Sequence, residues 1–161
     1  MKQLYIKQKA FSISGKFTVK DEEEKDVYDV EGSFMRVPKT FSILNITRDE
    51  VAVITKKVFS FLPKFFVAVN GREVLTIKKE FSFLKARYTI NAAGIEVKGN
   101  WWDMDFEVLQ QGEVIGKVSK VWFSWGDSYK VQILKEEMEV IMIALVVAID
   151  CVKADQAAAS S

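Results

Sequence analysis

Ten consecutive apolar residues, Val140 to Ile149, stand between Glu136, Glu137 and Glu139 on one side and Asp150 and Lys153 on the other. Acid before such a run and base after it suit the dipole of a helix. Ten helical residues rise about 15 Å, half of the ~30 Å that a bilayer core requires, so the run is not a membrane span. A helix that is apolar on every side is one enclosed by protein. The spacing predicts a helix over about 136–152 and a flexible tail over 154–161, in a single domain occupying 1–153.

What precedes the helix is built to enclose it. Residues Phe11 to Val19 alternate strictly, with Phe11, Ile13, Gly15, Phe17 and Val19 on one face and Ser12, Ser14, Lys16 and Thr18 on the other. That period of two describes a half-buried antiparallel strand. Similar runs are expected at 28–34, 41–46, 50–58, 65–69, 73–81, 86–90, 95–98, 104–110, 113–121 and 128–133. Turn signals separate them: Asn70-Gly71, Ala93-Gly94, Gln111-Gly112 and Gly126-Asp127. Asn70-Gly71 is the strongest hairpin signal, because both residues tolerate the positive φ of a type I′ turn. The 12 Phe against 2 Pro fit strands better than helices. Short strands at this spacing predict a sandwich or barrel, and the inside of a barrel is where an all-apolar helix belongs.

A short string echoes along the chain. Lys56-Lys57-Val58-Phe59-Ser60-Phe61-Leu62 returns as Lys78-Lys79-Glu80-Phe81-Ser82-Phe83-Leu84, and more loosely as Lys120 to Trp125. Repeated hairpins with paired aromatics at strand ends account for it, as would a repeated platform on which a ligand stacks.

Charge is unevenly placed although the net charge is only +1. From Lys56 to Tyr88, eight Lys and Arg face only Glu73 and Glu80. Residues 21–31 are the reverse, with seven acids and only Lys25. Either the two segments lie side by side and cancel, or the first presents a basic face to a phosphate group.

The chemistry that is missing narrows the function. No His occurs, which removes the commonest general base and metal ligand. No nucleophile elbow, phosphate-binding glycine loop or zinc-type cysteine pair is present. Cys151, the one cysteine, lies in the apolar helix and reads as a buried thiol. Asp103 and Asp105 would share one strand face, and read as solvated or loop-capping groups ahead of a cation site. Trp101 and Trp102 beside them are expected to close a barrel end. The first eleven residues carry Lys2, Lys7 and Lys9 without an apolar core, which predicts no secretory signal and a cytoplasmic protein.

Two strings, Asn100-Trp101-Trp102-Asp103-Met104-Asp105-Phe106 and Lys120-Val121-Trp122-Phe123-Ser124-Trp125-Gly126-Asp127-Ser128-Tyr129, followed by the apolar helix, resemble the LOR family. That family is similar in fold to the C-terminal domain of tubby proteins and to phospholipid scramblases. The resemblance covers roughly residues 3–152 and implies a mostly β fold. The implied fold is a closed antiparallel barrel of about twelve strands with the C-terminal helix through its centre. Tubby domains bind phosphoinositides through basic residues on the outside of the barrel.

The expectation is therefore a non-enzymatic cytoplasmic binding module for anionic phospholipid headgroups or a phosphorylated small molecule. The alternative is a structural or protein-interaction domain. Candidate binding residues are Lys56, Lys57, Lys78, Lys79, Lys85 and Arg87. No catalytic residue, metal, cofactor or nucleic-acid partner is expected, and any membrane contact would be peripheral.

Overall fold

The computed structural model describes residues 1–7, 16–33, 38–59, 62–80, 87–92, 94–123 and 126–160. Twelve strands precede one helix. They are β1 (Lys2–Lys7), β2 (Lys16–Lys20), β3 (Asp26–Ser33), β4 (Lys39–Leu44), β5 (Glu50–Phe59) and β6 (Leu62–Val69). Then come β7 (Arg72–Glu80), β8 (Arg87–Ala92), β9 (Glu96–Asn100), β10 (Asp105–Gln110), β11 (Glu113–Phe123) and β12 (Gly126–Ile133). A turn of 3-10 helix, Glu136–Met138, leads into α1, Glu139–Ser160.

All twelve strands lie in one antiparallel sheet, in the order β8-β7-β6-β5-β4-β3-β2-β1-β12-β11-β10-β9. Strands adjacent in sequence pair from β1 to β8 and from β9 to β12, and β1 pairs β12, so the first and last strands meet. Only β8 and β9 lack a ladder between them, although three residues connect them. The chain steps from one sheet edge to the other there, and the barrel is nearly closed rather than closed. A cleft of about 350 Å³ lies at this opening, lined by Ile90, Ala92, Ile95, Val97 and Trp101 among others.

The local chemistry explains the elements. Asn70 and Gly71 take φ of 50° and 78°, and Gln111 and Gly112 take 51° and 80°, the paired positive values of type I′ turns. Alternation then sorts each strand: Leu4 and Ile6, Phe41 and Ile43, Ala52 and Ile54, Phe65 and Val67, and Leu75 and Ile77 all point inward and are buried. The expected strand from Phe11 is described only from Lys16 onward. β1 was not signalled by any long alternation; only Leu4 and Ile6 mark it.

The helix fills the interior. Every residue from Met142 to Ile149 is fully buried, and α1 packs on β5, β6, β7 and β12. Each large aliphatic side chain buried this way contributes about 1.5–3 kcal/mol. Gly116 of β11 lets the helix approach, because a Cβ there would stand 2.4 Å from Met142 Cε. No helix among the described residues is long and apolar enough to cross a membrane.

The sequence placed the end of the helix near 152; it continues to Ser160. The extra turns have partners: Asp155 pairs Lys56 of β5, and Gln156 accepts a hydrogen bond from Tyr88 of β8 at 2.9 Å.

Candidate functional site

Because each strand reverses the last, the barrel has two distinct rims. The helix enters at the rim carrying residues 21–25, 45–49, 70–71 and 111–112, and its C-terminal turns reach the opposite one. Lys56, Lys57, Lys78 and Lys79 belong to the helix-exit half of β5 and β7, and the strand alternation divides these four between inside and outside.

Lys56 shares the inner face of β5 with Ala52 and Ile54, where its ammonium pairs Asp155 of the helix. Lys79 shares the inner face of β7 with Leu75 and Ile77, its Nζ 6.0 Å from the centre of the Tyr88 ring. Lys57 and Lys78 point outward and are exposed. Lys85 lies outside the described residues, and Arg87 is described in its backbone alone as the first residue of β8.

A residue absent from the candidate set joins the two outward lysines. Lys57 of β5 is directly opposite Lys64 of β6, and Lys64 is directly opposite Lys78 of β7. Three ammonium groups thus stand in one row across three strands, ending at Thr89 of β8. Directly opposed like charges destabilise a sheet. Among the described residues none of the three forms an ion pair; Glu80, on the same face, instead accepts a hydrogen bond from Thr89 at 3.1 Å.

Phe66 sits beside the row, with Lys57 Nζ 5.2 Å and Lys64 Nζ 5.0 Å from its ring centre. Such contacts hold the ammonium groups in place for about 0.5–1 kcal/mol each without neutralising them. The next row of the outer face is Thr40, Thr55, Phe66, Thr76 and Asn91 in register. Ammonium groups flanked by hydroxyls and an amide offer the donors that a phosphate oxygen accepts from.

The acidic segment lies elsewhere. Residues 21–25 are at the helix-entry rim, and Arg48 takes Asp29 at 3.0 Å and Glu31 at 2.8 Å. That guanidinium holds the Glu31 carboxyl below the usual carboxylate range. Asp29 and Glu31 therefore have a local partner, and among the described residues no ion pair joins the acidic segment to the lysine row.

Inside the barrel the polar groups are matched. Glu139, at the start of the helix, pairs Lys2 at 2.8 Å and accepts a hydrogen bond from the Tyr28 hydroxyl at 2.6 Å. Burial first and that carboxylate second push the Tyr28 phenol up. The Tyr129 hydroxyl donates to Asp150 at 2.8 Å. Burial nevertheless raises Asp150, against the opposing pull of Tyr129 and Lys153. Tyr88 is pushed up to about 12 by burial, then by Asp155. Cys151 is buried and its thiol stands well above the usual range.

The two aspartates separate. Asp103 lies in the turn after β9, its N–H donating to Asn100 Oδ1 at 3.1 Å and its carboxylate accepting from Asn100 Nδ2 at 2.7 Å. Asp105 opens β10 opposite Asn100. The neighbouring indoles work on the barrel opening: Trp102 stacks on Tyr88 of β8 with ring centres 5.2 Å apart, and Trp101 meets Trp102 edge-on at 5.7 Å. Of the echoed string, residues 60–61, 81–84 and 124–125 lie outside the described residues.

Comparison with known proteins bears on the whole chain. The family model described as LURP-one-related matches residues 2–150. The chain is 32% identical to the uncharacterised protein YxjI of Bacillus subtilis over 152 residues, 94% of each protein. It is similar in structure to a protein of Arabidopsis thaliana solved by X-ray diffraction, with a TM-score of 0.57 and 13% identity. That match covers 93% of this chain and 90% of the other.

Proposed function

This chain belongs to the LOR family, and from that premise we propose that it is a non-enzymatic cytoplasmic module that binds a phosphate-bearing anion on its outer lysine row. The observation that carries the reading is the register Lys57–Lys64–Lys78. Three like charges are held in one line against their mutual repulsion, with no carboxylate of the described residues taking them up. An arriving phosphate would relieve that repulsion and gain charge-assisted hydrogen bonds together. Thr55, Thr76 and Asn91 add neutral donors beside it.

A phospholipid headgroup and a soluble phosphorylated compound share this chemistry. Co-sedimentation with phosphatidylserine-containing vesicles tests the first, and calorimetry with inositol hexakisphosphate the second. Near an anionic surface each lysine contributes about 1 kcal/mol, so Lys57→Gln/Lys64→Gln/Lys78→Gln is expected to weaken binding roughly a hundredfold. Lys25→Gln at the other rim is expected to leave it unchanged. Binding that is absent in both arms, or equal for the wild type and the triple variant, sinks the reading.

The interaction-domain reading has an observation of its own. β8 and β9 are sheet edges without a ladder between them, and unpaired strand edges accept an added strand. A complex formed there would persist in salt that screens the lysine row, so recovery of a partner at high salt favours it.

A further inference from the structure

Where β8 and β9 fail to pair, the barrel interior is open to solvent. Ile90 and Ala92 of β8 stand opposite Ile77 and Leu75 of β7, and Val97 of β9 stands opposite Val108 of β10. Leu75, Ile77 and Val108 are 2%, 0% and 0% exposed, whereas Ile90, Ala92 and Val97 on the same inner face are only half-buried. Ile95 joins them from the connection, and together they floor the cleft of about 350 Å³.

Both ends of this seam are closed. At the helix-entry end the chain itself joins the strands between Ala92 and Glu96. At the other end Trp102 crosses the seam to stack on Tyr88, ring centres 5.2 Å apart. A strand added between β8 and β9 has to displace that stack, and a small molecule does not. A volume near 350 Å³ lies at the lower end of the range for small-molecule pockets, about 300–1,000 Å³.

The mouth of the cleft is polar. Asn91 and Glu96 line it from the outer face, both exposed. Among the described residues Glu96 has no ion pair and Asn91 no side-chain hydrogen bond. Glu96 is also the only charged residue of the described lining. Beyond the lining both signs occur. Lys98 is opposite Glu107, which takes Lys117 at 3.0 Å, and Arg72 adjoins Glu73 at the start of β7. Asp103 and Asp105 lie past Trp102, and Arg87 begins the facing strand. Trp101 completes the wall, and the face of an indole attracts a cation. The two strand edges add backbone groups that no ladder uses.

We propose that this seam binds a small organic amine. Its apolar body rests on Ile90, Ala92, Ile95 and Val97, and its ammonium group lies between the Glu96 carboxylate and the Trp101 indole. The Asn91 side-chain oxygen and the strand-edge carbonyls accept the remaining N–H bonds. A neutral ligand leaves Glu96 unused, and an anion is repelled by it. The site is separate from the lysine row and does not depend on the phosphate reading.

Three probes of one shape test it at neutral pH: 2-phenylethylamine, a cation; 2-phenylethanol, neutral; and 3-phenylpropionate, an anion. Each is titrated into the isotope-labelled full chain, and nuclear magnetic resonance follows the Trp101 indole N–H, assigned by its loss in Trp101→Phe, with the backbone amides of β8 and β9. The amine is expected to shift these signals with a Kd on the order of 1 mM, the alcohol about fivefold more weakly and the acid least. Glu96→Gln is expected to lower the amine to the affinity of the alcohol and to leave the alcohol unchanged. Ala92→Leu, which fills the floor, is expected to weaken both alike in a chain whose spectrum stays folded. Glu113→Gln, outside the lining, and the triple variant of the lysine row are expected to bind the amine as the wild type does. Equal affinity for amine and alcohol, or full amine affinity in Glu96→Gln, overturns the cationic ligand. No shift at Trp101 and the seam amides with any probe at about 10 mM, or amine binding undiminished in Ala92→Leu or lost in the lysine triple variant, overturns the site.

Discussion

Lys56 and Lys57 are adjacent in sequence and have opposite fates. Lys56 points into the barrel and finds Asp155 on the helix; Lys57 points out and, among the described residues, meets Lys64 and the face of Phe66. The contrast extends over the molecule. Inside, Glu139 has Lys2 and Tyr28, and Asp150 has Tyr129. Outside, the three lysines of the row have one another. Charge that is matched by the chain's own groups serves the fold. Charge that is assembled and left unmatched is available to a second molecule. The strand period of two makes this division possible within two residues.

The contrast makes its largest prediction at the centre of the barrel. Ala144→Asp or Val146→Asp buries a carboxylate with no partner and is expected to prevent folding, at a cost above about 4 kcal/mol. Circular dichroism and the soluble yield check this. A folded, soluble variant would move the helix out of the interior.

Next in size is the buried pair. Tyr129→Phe removes the hydrogen bond that the Tyr129 hydroxyl gives Asp150 and is expected to cost about 1–3 kcal/mol in denaturant unfolding. Asp150 also predicts a pH dependence. Its folded value is raised by burial, so the folded chain holds this proton to higher pH than the unfolded chain does. This contribution to stability is therefore greatest at or below the ordinary carboxylate range and falls as pH climbs to the raised value. Asp150→Asn removes that slope, and melting curves between roughly pH 4 and 7 read it. An unchanged slope would place the proton elsewhere.

The smallest stability effect belongs to the row. Lys64→Gln is expected to shift the unfolding free energy by no more than a few tenths of a kcal/mol, and upward, because a like-charge contact is removed on both sides.

Much of the barrel is legible in the sequence. The all-apolar helix demanded an enclosure, the alternating strands supplied one, and Asn70-Gly71 and Gln111-Gly112 formed the turns their residues favour. The lysine row was not legible, for an identifiable reason. Counting back from the Asn70-Gly71 turn, a regular hairpin would set Lys64 opposite Ile77. The register slips by one between Val67 and Ala68, and this sets Lys64 opposite Lys78. A one-residue slip exchanges the faces of a strand, and sequence alternation does not reveal it. The same parity argument could have separated Lys56 from Lys57, since Ala52 and Ile54 already marked the inner face of β5. The pairing of Lys56 with Asp155 could not be foreseen while the helix was expected to end near 152. The opening between β8 and β9 was likewise hidden, because the short connection between them resembles any other hairpin.

The division between matched and unmatched lysines is tested most directly by measuring anion binding and thermal unfolding on the same two variants, Lys56→Gln and Lys57→Gln. The account predicts that the two readouts cross. Lys56→Gln lowers the melting temperature and binds anionic vesicles or inositol hexakisphosphate as the wild type does. Lys57→Gln melts at the wild-type temperature or slightly above it and binds severalfold more weakly. If instead Lys56→Gln loses binding at unchanged stability, or Lys57→Gln keeps full affinity for both, the site is not the outer row and the account is contradicted.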